Sequence, residues 1–361
     1  MTAVIEQAAS SPKWRRAWEW LFALEPMRHA WWETTIMRGI IAWAAWFSLA
    51  FPAQWTGQPH PHGLAVWGVD FSWLGDPALA PKLHLMVNVC LVLYVFCIPE
   101  WVALLKRGTG WVRQRAPVVW VMVWLIWVVF WLIGLFPQVL TLLPVLVCSI
   151  GHGVLGNSQG AIGHSTQILT VALLAQWLAY AWACLQPRTR WSMPHGFNSS
   201  QLAADWGRQA VAAGYVVSAI SKLIASGGDW ISDTPYFGLQ VVKSNGMGFY
   251  DYLAPRTEGW GVWLGQWLVD HPFVTAVVLT AALPLELFAF LALNNRRIAL
   301  FFGVALYLFH STVTEVMQLG FLYHRMLLFA LFINPVWWVV QGLRRLIKQK
   351  GESRNQMPTS T

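Results

Sequence analysis

Apolar stretches of about 20 residues, the length that crosses the hydrocarbon core of a bilayer, recur along this chain from residue 36 to near its end. A backbone inside lipid must satisfy its own hydrogen bonds, and a helix does so within one segment. Only 11% of the residues are charged, against roughly 25% in ordinary soluble domains, so there is little polar surface for a water-facing exterior. The sequence predicts an all-α fold: a polytopic transmembrane helical bundle. The 26 tryptophans suit that reading, because indole favours the headgroup interface.

Sidedness follows from the basic residues, which concentrate on the cytoplasmic side of membrane helices. Helices are expected at 35–53, 83–105, 117–136, 165–184, 203–224, 272–293, 298–318 and 321–341. Basic residues gather before the first (Lys13, Arg15, Arg16, Arg28), after the second (Lys106, Arg107, Arg113, Arg115) and after the fourth (Arg188, Arg190). Two more groups lie between the sixth and seventh (Arg296, Arg297) and in the tail (Arg344, Arg345, Lys348, Lys350). One side for all five groups requires an even number of crossings between each pair. The apolar run 138–150 would break that parity as a full span, and Pro137 and Pro144 interrupt it. It is read as a re-entrant or extracytoplasmic half-helix, tolerated where it is buried in protein or lines water. Eight spans result, as one membrane domain over 35–342 between a cytoplasmic segment 1–34 and a basic cytoplasmic tail 343–361. Three irregular segments, 51–81, 151–164 and 225–271, then share the outer face.

The net charge of +8 is accounted for by topology and by anionic membrane lipid, so no nucleic-acid partner is expected. Cys90, Cys97, Cys148 and Cys184 lie in apolar runs with no CxxC or Cys/His spacing, which points to packing and not to a disulfide framework. Neither HExxH nor a carboxylate-rich spacing argues for a bound metal. Lys13, Arg15 and Arg16 precede a short apolar patch without a small-residue cleavage site, so no cleaved signal peptide is expected.

Within this apolar sequence a few polar groups stand out. Lys222 ends the run Tyr215-Val-Val-Ser-Ala-Ile-Ser-Lys222 and is followed by Gly227-Gly-Asp229-Trp230. An ammonium near hydrocarbon is unfavourable by about 2.5 kcal/mol or more, so it needs water, a partner or a task. Two readings stand: the lysine snorkels to the outer interface, or burial favours the neutral amine and makes it a base. Tyr215 and Ser218 share its helical face. Glu286 lies mid-helix with no neighbouring charge in sequence, either as an intramembrane functional carboxylate or as a neutral acid packing two helices. His310 and Thr314 share a face of the next helix beside Glu315, and His324 and Arg325 open the last one. Asp205 and Arg208, one turn apart, read as a structural or cytoplasmic-surface pair. The segment 151–164 carries five glycines interleaved with His152, Asn157, Ser158, Gln159 and His164. It is either a connector or a loop whose backbone approaches a ligand closely; with no GK[ST] ending it is not a phosphate loop.

Lys222-Leu223 at a helix end, followed shortly by Asp229-Trp230 and the segment through Tyr236, resembles the signature of the vitamin K-dependent γ-carboxylase superfamily and its HTTM (horizontally transferred transmembrane) relatives in bacteria. Arg38-Gly39 in the first span, the Gly-rich segment leading to His164, Glu286 mid-span, the Arg296-Arg297 turn and a central His310 fit the same layout, from about residue 38 to 334. The resemblance implies a bacterial inner (plasma) membrane protein. It puts Lys222 in the role of the base that deprotonates a reduced quinone, with His164, Glu286 and His310 as further catalytic candidates. His152, Asn157, Gln159, Asp229 and Trp230 become the quinone-binding candidates. Two departures bear on the activity. The chain has no counterpart of the carboxylase's large luminal domain after its last helix, and His164 stands where many relatives carry an acidic residue. Protein carboxylation is therefore less expected than a reaction of a lipid-soluble, quinol-like small molecule. The competing reading is non-enzymatic: a lipid- or quinone-binding protein, or an accessory to the export or maturation of a protein partner.

Overall fold

The computed structural model describes residues 23–25, 27–49, 65–66, 69–70, 78–96, 139–157, 164–185, 199–233, 236–252 and 260–355. Apart from a two-residue antiparallel ladder, Ala65–Val66 with Val69–Asp70, the described chain is helical. In order it forms α1 (Trp31–Leu49), α2 (Ala80–Phe96), α3 (Val139–Asn157), α4 (His164–Leu185), α5 (Ser199–Ala225) and the single turn α6 (Trp230–Asp233). Then come α7 (Phe237–Tyr252), α8 (Trp260–Asp270), α9 (Pro272–Leu287), a 3-10 turn (Ala289–Leu293), α10 (Arg296–Met317), α11 (Leu322–Leu328), a π turn (Phe329–Ile333) and α12 (Pro335–Asn355).

Among the described residues, two helices are long and apolar enough to cross a membrane: Arg296–Met317, and the stretch Leu322–Gln349 that runs through α11 into α12. The pair α8 and α9 makes a third route only if counted together, and it is bent by 103°. Pro81–Phe96 and Leu142–Gly153 are shorter apolar helices. The expected helix 117–136 lies outside the described residues.

Side-chain contacts define two ends of the bundle. At the first, Glu33 in the opening turn of α1 accepts hydrogen bonds from the Ala30 N–H (2.9 Å) and from Asn334 (2.6 Å) and pairs with Arg296 (2.7 Å). Asn295 caps α10 by accepting from the N–H groups of Arg297 and Ile298, which satisfies donors that every helix start leaves open. Arg38 of α1 donates to the Val95 carbonyl near the end of α2 and to Ser200 at the start of α5, and Tyr180, late in α4, lies 3.4 Å from the same Ser200 hydroxyl. The ends of α2 and α4 and the starts of α1, α5 and α10 are thus together. These are the helix ends next to which the basic groups of the sequence stand.

At the second end, His84 of α2 bonds the Leu49 carbonyl (3.0 Å) and His152 of α3 bonds Ser48 (2.8 Å). The buried positions of α1, among them Met37, Ile41, Ala44, Ala45 and Ser48, recur at the three- and four-residue spacing of a helix face. Small residues of α5, Ala203, Ala204, Ala212 and Ala219, are buried in the same way, and such residues let helix backbones approach closely.

The structure corrects two expectations. The helix that begins in the run 138–150 does not end there: α3 continues to Asn157, 19 residues in all, with Pro144 inside it, and its apolar part is Leu142–Gly153. A proline removes one backbone hydrogen bond, but the helix survives because neighbours hold it, with Cys148 and Gly151 packed on Val87 of α2. The Gly-rich segment is therefore helical through residue 157, α4 begins at His164, and only 158–163 lie outside the described residues. Nor is 225–271 irregular. Its described residues fold into α6, α7 and α8, ordered by the packing of α7 on α8 and of α6 on α9.

Candidate functional site

At the second end, α5 stops at two glycines with left-handed backbone, Gly227 (φ 64°) and Gly228 (φ 98°), conformations that a Cβ disfavours. The N–H of Gly228 returns to the Leu223 carbonyl (2.9 Å), and that of Gly227 to the Ile224 carbonyl (3.0 Å), closing the helix by the usual left-handed cap. The turn places Trp230 beside Lys222, with Nζ 5.7 Å from the indole centroid, within cation–π range.

Lys222 Nζ donates to Glu286 Oε2, so the charge at the end of α5 meets the one carboxylate inside α9. The two partners differ in environment. The Glu286 side chain is 4% exposed while that of Lys222 keeps 29%, so the pair has a buried acid and a wetted amine. Pro284 lies one turn's edge before Glu286 inside α9, which then tightens into the 3-10 turn.

Two turns before Lys222 on the same helix, Tyr215 is buried, and its hydroxyl has no partner among the described residues. Its ring lies 5.4 Å from that of His310 on α10. His310 is itself buried, stacked on Phe321 (4.6 Å) and 5.2 Å from the ring of His324. Neither His310 nitrogen has a hydrogen-bond partner among the described residues. Buried polar atoms are usually paired, so the Tyr215 hydroxyl and both imidazole nitrogens make this wall short of partners. It can donate one hydrogen bond from tyrosine, and it can donate one and accept one through histidine.

Of the residues singled out from sequence, Lys222, Glu286 and Trp230 are in contact, and His310 joins them through Tyr215. Asp229 lies in the turn between Lys222 and Trp230, its N–H bonded to the Ser226 carbonyl. His152 is not part of this group: it is fully buried, with Nε2 on Ser48 and Nδ1 on Thr170 (2.7 Å), and it joins α1, α3 and α4. Asn157 is the last residue of α3 and His164 the first of α4; Gln159 lies outside the described residues. Thr314 bonds back to the His310 carbonyl on its own helix. Asp205 and Arg208 pair at 3.8 Å, and Arg208 also donates to the Ala292 carbonyl, which bears out their structural reading. Among the described residues no three His, Cys, Asp or Glu side chains converge as metal ligands.

Sequence reasoning passed over Phe321 as a wall of the site, and it passed over the Glu33–Arg296–Asn334 junction at the other end. No spacing rule links positions so far apart in the chain. An intramembrane carboxylate with no local partner was the one available signal for Lys222–Glu286.

The chain matches no family model, no curated protein and no solved structure. What the site can do rests on its own geometry.

Proposed function

We propose that this chain is a polytopic membrane protein of eight spans, both termini cytoplasmic, in the bacterial inner membrane. In this reading Lys222 and Glu286 form an acid–base couple at its extracytoplasmic end, acting on a quinol-like hydroxyl of a lipid-soluble substrate. The observation that carries the reading is the contact between the part-exposed amine of Lys222 and the buried carboxylate of Glu286, with hydrogen-bonding groups of Tyr215, two turns earlier on α5, and of His310 left without a partner among the described residues. Membership of the HTTM and γ-carboxylase superfamily, drawn from Lys222-Leu223 and Asp229-Trp230, belongs to the same proposal.

The contact changes the mechanism expected for a lone lysine. Lys222 becomes a base by passing its proton along the hydrogen bond to Glu286. The ion pair and the neutral amine–acid pair have the same net charge, and low dielectric penalises the separated charges. The neutral amine then takes the substrate hydroxyl's proton, leaving an alkoxide or phenolate beside the new ammonium. Trp230 shields that ammonium from water on one side. Tyr215 and His310 are placed to orient the substrate's oxygen atoms.

The test is turnover of a reduced naphthoquinone under oxygen by the purified protein. Lys222→Arg keeps the charge and the pairing but cannot deprotonate, so activity falls to background. A fully active Lys222→Arg or Lys222→Gln protein overturns the enzymatic reading.

One observation favours a second reading. The contact also joins α5 to α9 as a structural tie, which is all that a lipid- or quinone-binding protein, or an accessory to export or maturation of a protein partner, needs from it. Lys222→Arg then folds, and binds a quinone or lipid, as the native protein does.

A further inference from the structure

The corner between α8 and α9 is fixed by its own residues. His271 leaves the helical region (φ −124°, ψ 63°) and Pro272 starts α9, where its missing N–H costs nothing. The imidazole of His271 stacks on Trp267 at 4.3 Å, and Thr275 ties back to the Leu268 carbonyl (2.9 Å). The 103° bend therefore turns α8 across the end of the bundle, while α9 runs along it to Glu286.

One face of α8 is committed to protein. A Cβ at Gly261 would lie 2.4 Å from the Asn245 side chain, and one at Gly265 would lie 2.9 Å from that of Val242, so these glycines let α8 pack closely on α7. The opposite face presents Trp260 (56% exposed) and Trp263 (66% exposed). Around the corner, Phe273, Val277 and Val278 of α9 are exposed too, so apolar side chains are exposed on both sides of the corner.

We infer that α8 is an in-plane interfacial helix that seats Trp260 and Trp263 in the lipid headgroup layer. The inference rests on the reading of this chain as membrane-embedded. A helix perpendicular to a spanning helix lies parallel to the bilayer surface, and amphipathic helices in that position bury their apolar face at the headgroup–acyl boundary, where indole is favoured. The occupant is lipid of any headgroup charge, because the only charged residue of α8 is Asp270. The exposed valines and phenylalanine of α9 suit acyl chains.

Nitroxide labels at Trp263→Cys, Val278→Cys and Lys348→Cys, in a protein with Cys90, Cys97, Cys148 and Cys184 replaced by alanine, test this in phosphatidylcholine vesicles. The readout is collision with oxygen, which partitions into lipid, relative to a water-soluble nickel chelate. The expected order of that ratio is Val278 highest, Trp263 intermediate and Lys348 lowest. A Trp263 ratio equal to that of Lys348, with Val278 still in lipid, overturns the in-plane helix alone. A Val278 ratio equal to that of Lys348 overturns the membrane reading itself. Should the cysteine-free protein fail to fold, photoreactive benzoylphenylalanine at position 263 of the native chain gives the same decision. A phospholipid adduct supports the inference, and an adduct to a second copy of the protein overturns it.

Discussion

At the scale of residues, the molecule concentrates its unusual chemistry in one contact, Lys222 with Glu286. Removing one partner of a fully buried ion pair destabilises by about 3–5 kcal/mol, because the other charge is left alone. Lys222 keeps 29% of its side chain exposed, so water softens the loss. Glu286→Gln is expected to lower stability by about 2 kcal/mol and Lys222→Met by more, since the latter strands a carboxylate that is 4% exposed. The double variant Lys222→Met/Glu286→Leu should recover most of the loss, read as Tm in detergent by intrinsic fluorescence. Additive losses in the double variant would show that the two side chains do not interact. The sequence marked both residues as improbable in hydrocarbon, but it did not mark them as partners. They are 64 positions apart, and each alone had a reading without the other.

Among the elements, α3 departs furthest from the sequence reading. Two prolines and an apolar run too short for a span suggested a half-helix, whereas the helix persists across Pro144 to Asn157. Local propensity is a weak guide where neighbouring helices supply the packing. Gly151 shows how tight that packing is, for a Cβ there would lie 2.2 Å from Cγ2 of Val87. Gly151→Ala is therefore expected to destabilise by about 1–3 kcal/mol through overpacking, with partial recovery in Gly151→Ala/Val87→Ala, measured by thermal unfolding. An unchanged Gly151→Ala protein would mean that α2 and α3 do not meet there. By contrast the starts of α9 and α10 were legible, because Pro272 suits the first turn of a helix and Asn295 is a strong N-cap. The segment holding α6 to α8 was not: these helices are short and amphipathic, and their order comes from packing on one another and on α9 and α10.

For the molecule as a whole, the two ends have different characters. Four of the five basic groups border helix ends that the structure gathers at the first end, and α12 carries the fifth beyond them. With that end cytoplasmic, a maleimide reagent that cannot cross the membrane should label Gly320→Cys from outside intact cells and should leave Gly342→Cys unmodified. Both glycines have open space around a Cβ, so neither substitution disturbs packing; labelling of Gly342→Cys alone would invert the topology. The sequence by itself determined the helical class, the apolar runs and the gathering of charge at one end, because hydropathy and the cost of placing charge in lipid are properties of single residues summed over a short window. Only the tertiary structure decided that α8 turns by 103° across the bundle, that α3 runs on to residue 157, and that Lys222 meets Glu286 beside Tyr215 and His310. Each of those depends on which helix faces meet and in what register. Apolar helices can satisfy that choice in many ways, and it is settled by contacts between residues far apart in the chain.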